Sequence, residues 1–581
     1  MPSPPSHKGG DRLSRLAVTG LVAVLMAAAW VGWGPSVAAP PTLSWALDDA
    51  PQPYVEYVHV PFAAPVPARR SPLDLRLDEL ARDVGHLRRR ITVPSSVRFD
   101  AAALTEEIES IVTRLQGQAD VSIHVRDLET GLDLFDYAGD RPLNAASNQK
   151  LVTSAAALEL LGSEYSFRTR VALAQETLYL VGEGDPTLSA RRLYEIVSDV
   201  ASKVPVAEVR RLVVDDSAFS DRRFGPGYRR DGPGFAYQAP SGALSLDFNT
   251  VEVVAYAGRG RPRVFLRPAS EYVQVRNRAV MRGGRTRLSA TSTARNGKTV
   301  VTVRGRMRRG GRPWSVRRRI YHPARYVGTT FAAMLAELTD TEPLTVDTGT
   351  APASAEVELA YASVPLLEVV DRVLAYSSNF GAEQLLRTLG WRMTGRPGDW
   401  DNGAEVLRGY WSALGHDPAT LHFENGSGLS VRGSVTSRGL VDLVETAYRL
   451  GRDNANLIDA LAVAGEAGTL RQRLRRSGAR VRAKTGTLPG VSALTGVVVR
   501  ADDTPQVAFS IIINTLEADA MRARRRRSYE DSIVLAVLSA CDEFEARRGE
   551  AASGSNDPVD AAPQRGGVEL GAAESTQAAT G

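Results

Sequence analysis

The sequence predicts an α/β (α+β) fold in which one mixed domain of helices and strands is interrupted by a mostly β module. Three patterns carry this expectation. Residues 101–164 open with a helical period and a hairpin, residues 165–355 hold many short alternating runs, and from 357 helical period returns before two closing strands. The chain of 581 residues is long enough for two or three domains. Its composition, 43% hydrophobic and 24% charged, is that of an ordinary globular protein.

The N-terminus comes first. "SHKGGDRLSR" is net positive, "LAVTGLVAVLMAAAWVGW" is an apolar run of 18, and "GPSVAAP" offers small residues for cleavage after Ala38. That order reads as a secretory signal peptide over 1–38. Left uncleaved, the same run is an anchor at the short end of spanning length. Either way the bulk of the chain is expected outside the cytoplasmic membrane, periplasmic or in the cell envelope. Residues 39–100 read as a Pro/Ala-rich linker followed by a charged, helical segment ending in "LRRR".

In the first part of the mixed domain (101–164), "AAALTEEIESIVTRLQ" has helical period, and "VSIHVRDLETGLDLFDY" alternates around Thr130-Gly131 as a hairpin. "NAASNQKLVTSAAALELLG" then reads as a loop and an amphipathic helix, with Leu151, Ala155, Leu158 and Leu161 as its stripe and Gly162 as its stop. The module at 165–355 contains "RTRVALAQETLYLVGEG", "VEVVAYAG" and "KTVVTVRGRMRR", with one helix near 190–203. The second part (356–548) carries three helical stretches, the strands "SALTGVVVR" and "VAFSIIIN", and a helix from about Tyr529 to Arg547. Residues 549–581, rich in Ala, Gly, Ser and Gln, are expected to be disordered.

Cys541 is the single cysteine, which excludes an intrachain disulfide and a cysteine-rich metal site. The seven histidines show no metal-ligand spacing, so no metal and no cofactor is expected.

The chemistry lies elsewhere. Ser147 and Lys150 are three apart at the start of a helix and so share a face. A serine hydroxyl is a weak nucleophile until a base takes its proton. Lysine becomes that base when burial, a helix N-terminus or a second cation disfavours its charged form. The spacing alone is common, but two partners follow. "YSSNFGAE" places Ser377 and Asn379 at a helix junction, and "AKTGTLPG" enters the closing strands with Lys484, Thr485, Gly486 and Thr487. Such a strand suits a substrate carboxylate and a peptide lying along a sheet edge. The ordered set S-x-x-K, S-x-N, K-T-G is specific where each member is not.

With these residues the chain resembles the low-molecular-mass class C penicillin-binding proteins, the D-alanyl-D-alanine carboxypeptidase/endopeptidases. The resemblance covers roughly residues 105–545. It includes "GEGDPTL", "VVDDSAF", "NGSGLS" and "AGEAGTLRQRL", and the gap of about 230 residues between Ser147 and Ser377. It implies the penicillin-binding-protein/serine β-lactamase-like fold, an antiparallel sheet flanked by helices. It implies a serine peptidase acting on peptidoglycan stem peptides, with β-lactams as covalent inhibitors. Ser147 would be acylated, with Lys150 as its base. Ser377 would pass a proton to the leaving D-alanine with Lys150 or Lys484 alongside, and Asn379 would bind the peptide. Lys484, Thr485 and Thr487 would hold the terminal carboxylate, and the N–H groups of Ser147 and Thr487 would form the oxyanion hole. An acid of the module, Asp215 or its neighbour Asp216, would meet the amine of the substrate's diamino acid, unless it is simply a turn or edge-strand acid.

Three positions depart from the family pattern. Ser378 stands where the middle motif usually has Asp. "GSGLSVRG" has Val431 and Gly433 where arginine and asparagine are usual, with Arg432 one place along. "NAAS" replaces a more usual Pro-Ala-Ser.

Between Arg259 and Arg319 lie 18 arginines and one lysine against a single acid, Glu271. Alternation puts many of these on one face of a sheet. This reads either as a solvated basic face or as a docking surface for anionic wall polymer, outer-leaflet phosphate or a protein partner. Secretion and the lack of interleaved aromatics argue against nucleic acid. "RARRRR" (522–527) reads as a solvated turn before the last helix.

Two alternatives accompany the peptidase reading. A catalytically weak wall-binding scaffold on the same fold is favoured by the altered arginine position and opposed by intact Ser147, Lys150 and Lys484. A β-lactamase or esterase is disfavoured by the inserted module.

Overall fold

The computed structural model describes residues 71–89, 99–229, 231–451, 457–518 and 520–554. The expected signal peptide (1–38), the linker up to residue 70 and the tail from 555 lie outside the described residues. Among those described, no helix is long and apolar enough to cross a membrane.

A six-stranded sheet organises the mixed domain. Its order is Ala462–Val463, Val481–Leu488, Val491–Val499, Pro505–Thr515, Ala119–Asp127 and Asp133–Tyr137. Every neighbouring pair is antiparallel. The period of two is visible in the burial: Phe509, Ile511 and Ile513 pack with Ile108 and Val537, while Ala508 and Ile512 pack with Val152 and Leu440. Helices Ala101–Thr113 and Ala523–Gly554 therefore cover one face, and Gln149–Leu161 and Ser437–Leu450 the other.

The helix Gln149–Leu161 differs from expectation. It is buried nearly all round rather than along one stripe, because the helices Leu366–Tyr376, Asn379–Thr394 and Trp400–Ala413 supply apolar side chains to the same core. The charged N-terminal segment is the helix Pro72–Arg89, whose Leu80 and Val84 join that core.

The chain leaves this domain after Gly162 and, among the described residues, builds twelve strands before returning. A five-stranded mixed sheet runs Thr345–Thr348, Arg211–Asp215, Thr177–Gly182, Arg168–Ala174, Glu356–Ala362. The expected return at 356 thus falls one strand early, because Glu356–Ala362 is hydrogen-bonded to Arg168–Ala174. Among its described residues the module also holds two α-helices where one was expected. Ala190–Lys203 is capped by Ser189, whose Oγ accepts from Arg192 N at 3.2 Å. Pro323–Thr339 carries Pro at its first turn, and its Val327, Phe331 and Leu335 are buried four apart. Its Gly-Thr-Thr centre hides that period from a propensity reading.

Two buried polar residues lock the module onto the helix Asn379–Thr394. Gln384 donates to the carbonyls of Gly184 (3.1 Å) and Gly242 (2.9 Å). Arg387 donates to the carbonyls of Ser220 (2.7 Å), Gly398 (3.1 Å) and Ser241 (3.2 Å).

The last helix starts at Ala523 and runs through Gly554, so all of "RARRRR" but Arg522 lies in its first turns rather than before it, its arginines exposed except at Arg526, and the expected tail at 549 begins inside it. The reason is Arg526. It is 2% exposed and donates to the Met521 carbonyl and to the Leu488 carbonyl at 3.3 Å, tying the helix start to the end of a central strand.

Candidate active site

Ser147 lies half-buried in a single 3-10 turn, Ala146–Asn148, which feeds straight into the helix Gln149–Leu161. The turn is held from several sides. Asn144 Oδ1 accepts from Ala146 N at 2.8 Å, and Asn148 Nδ2 donates to Thr495 Oγ1 at 2.8 Å. Ala146 is forced to φ 45°, the left-handed region. Gly428 and Gly486 press on the same segment: a Cβ on either would overlap the carbonyl oxygen of Ala146 or Ala145. The "NAAS" departure has a local rationale, since Asn144 also donates to the Ser430 and Val431 carbonyls at 3.1 and 2.9 Å.

Lys150 is fully buried, and its Nζ sits 3.0 Å from Ser147 Oγ, 2.8 Å from Asn379 Oδ1 and 2.6 Å from the Ser427 carbonyl oxygen. Burial pulls its pKa down to about 7, with the Glu383 carboxylate opposing. A neutral amine has two N–H groups and one lone pair. The amide and carbonyl oxygens can only accept, so they take the N–H groups, and the lone pair is left facing the Ser147 hydroxyl.

The second motif follows from how two helices meet. Leu366–Tyr376 ends at Ser377, which takes the left-handed conformation (φ 58°). Ser378 then caps Asn379–Thr394, its Oγ accepting from Gly381 N at 3.1 Å. Serine and aspartate are equally good at an N-cap, so the departure at this position is conservative. Asn379 Nδ2 donates to the Tyr237 carbonyl at 3.1 Å, which brings the inserted module to the edge of the site.

Lys484 lies on the strand Val481–Leu488, also fully buried, with Nζ 2.9 Å from Ser377 Oγ and 2.8 Å from the Thr485 carbonyl oxygen. Burial, and then the neighbouring Lys150, hold it well below the usual lysine range. Thr485 Oγ1 donates to Thr469 Oγ1 at 3.0 Å.

Ser147, Lys150, Ser377, Asn379, Lys484, Thr485, Gly486 and Thr487 are thus brought to one place. Asp215 is not among them. It is 4% exposed, and its two carboxylate oxygens accept from Ser217 N (2.9 Å) and Ala351 N (2.8 Å), which makes it a turn-holding residue of the module. Asp216 is buried too, bonded to Arg223 and to Leu244 N at 2.7 Å. Arg432 is largely exposed and paired with Glu424.

Sequence reasoning missed Glu383. Its carboxylate is buried and accepts from Trp400 Nε1 (2.7 Å), Gly426 N (3.1 Å), Tyr228 Oη (3.2 Å) and Ser427 N (3.2 Å). The one available signal was an acid on the inner face of a helix, four residues after Asn379. Among the described residues no cluster of His, Cys, Asp or Glu could hold a metal ion.

Residues 104–531 match the D-Ala-D-Ala carboxypeptidase 3 (S13) family. A D-alanyl-D-alanine carboxypeptidase of an Actinomadura species is 35% identical over 439 residues, 71% of this chain and 81% of that one. Carboxypeptidase DacB of Mycolicibacterium smegmatis is 26% identical over 451 residues, 72% and 83% of the two chains. The crystal structure of penicillin binding protein 4 (dacB) from Haemophilus influenzae shares the fold, with a TM-score of 0.62 at 21% identity. The match covers 74% of this chain and 98% of that one.

Proposed function

Because the chain belongs to the D-Ala-D-Ala carboxypeptidase 3 (S13) family and is a serine-type DD-carboxypeptidase, we propose that it binds penicillin, works through an acyl-enzyme on Ser147 and also cuts peptidoglycan cross-links. The observation that carries the reading is the Lys150 amine, its pKa pulled down to about 7 by burial and its Nζ hydrogen-bonded to the Ser147 hydroxyl at 3.0 Å.

Ser147 Oγ attacks the penultimate D-Ala carbonyl carbon while its proton passes to Lys150 Nζ. The N–H groups of Ser147 and Thr487 receive the oxyanion. The C–N bond breaks as Ser377, backed by Lys484, delivers a proton to the leaving amine. Asn379 positions the peptide, and Lys484, Thr485, Gly486 and Thr487 form the edge on which its carboxylate end lies. Water then hydrolyses the ester. A terminal D-alanine and a cross-linked stem both leave as amines, so one mechanism covers carboxypeptidase and endopeptidase activity. A β-lactam opens at its ring C–N bond and keeps its amine tethered, so its ester persists. The substrate lies beyond the cytoplasmic membrane, which fits export by the apolar segment before Ala38.

Fluorescent penicillin on the exported protein beside Ser147→Ala tests the reading. Persistent labelling that vanishes in the variant, with release of D-alanine from pentapeptide and cleavage of cross-linked muropeptides, is expected. A folded protein that never labels would be the scaffold instead, and labelling followed by rapid release would be a β-lactamase.

The arginine-rich stretch bears on the partner. Arg276, Arg282, Arg287, Arg304, Arg306 and Arg308 are exposed on one sheet. Arg287 is directly opposite Arg306, and Arg282 is opposite Arg308. Among the described residues none of the six has an ion-pair partner that would neutralise it. Like charges directly opposite destabilise a sheet, and an anionic wall polymer laid across it removes that cost. Co-sedimentation with phosphate-bearing walls should weaken with salt and be lost in Arg304→Glu/Arg306→Glu/Arg308→Glu. Equal binding to walls stripped of phosphate would point to a protein partner or to a merely solvated face.

A further inference from the structure

The substrate's terminal carboxylate needs a cation, and the cation of the K-T-G motif is poorly suited to supply it. Lys484 is fully buried between Ser377 and the Thr485 carbonyl, and burial favours its neutral form. Arg432 is tied to Glu424. A third group stands at the far end of the same strand. Arg527 is exposed, and its Nη2 donates to Thr487 Oγ1 at 3.3 Å. It has no carboxylate partner among the described residues.

Its position is fixed by its neighbours. Arg526 anchors the helix start to the Leu488 carbonyl (3.3 Å), and Arg473, held by Glu530 (2.8 Å), donates to the Arg527 carbonyl at 3.5 Å. Arg525 turns away to Tyr529 (3.3 Å). A threonine hydroxyl that accepts from a guanidinium has its own proton free to donate outward. The pair therefore presents one O–H and further N–H groups to the same side, a set that fits a carboxylate, and arginine keeps its charge at every physiological pH.

Resting on the peptidase reading above, we infer that Arg527, seated on Thr487, is the charged half of the pocket for the substrate's terminal carboxylate and so sets the preference for a free C-terminus.

The test separates binding from turnover. Ser147→Ala and Ser147→Ala/Arg527→Gln are titrated calorimetrically with an acyl-D-Ala-D-Ala peptide and with its C-terminal carboxamide. Ser147→Ala is expected to prefer the carboxylate by tenfold or more, with the preference gone in the double variant and carboxamide binding unchanged. Arg527→Lys in the same background should retain part of it. In the otherwise native protein, Arg527→Gln should raise KM for the free acid more than it lowers kcat. An undiminished preference without Arg527 overturns the inference, as does equal weakening of both peptides, which marks a structural residue. Failure of the peptidase reading would show separately, as a native protein that binds peptide and releases no D-alanine.

Discussion

Glu383 and Lys150 are joined through one residue, Ser427, which donates its N–H to the Glu383 carboxylate at 3.2 Å and accepts from Lys150 Nζ on its carbonyl at 2.6 Å. The carboxylate therefore orders the loop that orders the base, and it reaches the lysine as a field rather than as an ion pair. The base's proton affinity is thus lowered first by burial and raised back in part by the Glu383 carboxylate.

The acylation rate by penicillin should accordingly rise with pH through a midpoint near 7, where Lys150 loses its proton. The same shift predicts a stability effect. Between about 7 and 10.5 the unfolded chain holds a proton on this lysine that the folded chain lacks, so stability rises with pH across that window. Lys484, depressed in the same direction, adds to it. Urea midpoints at pH 7 and 9 measure the slope, and Lys150→Met should lessen it while abolishing acylation.

Glu383→Gln should move the pH midpoint of acylation downward, because the opposing carboxylate is gone. Losing a charged acceptor shared by Trp400, Tyr228 and two backbone N–H groups should cost about 2–4 kcal/mol of stability. A rate profile left where it was would mean the carboxylate does not act on the base.

Gly428→Ala should damage the site more than its small volume suggests. The glycine holds φ 74°, and a Cβ would overlap the Ala146 carbonyl beside the nucleophile. Overpacking and backbone strain together should cost about 2–4 kcal/mol, with acylation slowed more than tenfold. Labelling rates and thermal unfolding on one preparation decide it.

Asp215→Asn should lower stability by about 1–2 kcal/mol through weakened bonds to Ser217 N and Ala351 N. Selectivity for peptides bearing a free side-chain amine should not change. A KM that rises only for such peptides would restore the acid as a substrate contact.

The three motifs were legible in the chain because each is local. Ser147 with Lys150 is set by helical spacing, Ser377 with Asn379 by a helix junction, and Lys484 with Thr487 by a strand. Folding still had to choose among what was local. The helix Pro323–Thr339 forms despite a weak propensity because Val327, Phe331 and Leu335 find a core of the inserted module. Arg526 turns an apparent surface run into the start of a helix by burying one guanidinium against backbone carbonyls. Asp215, an acid in a family stretch, was drawn inward by two amides. Glu383 beneath the base and Arg527 beside Thr487 could be found only in three dimensions: their partners lie 44 and 40 positions away. Periodicity reports which face of an element is apolar, whereas a hydrogen bond across such distances depends on how whole elements pack.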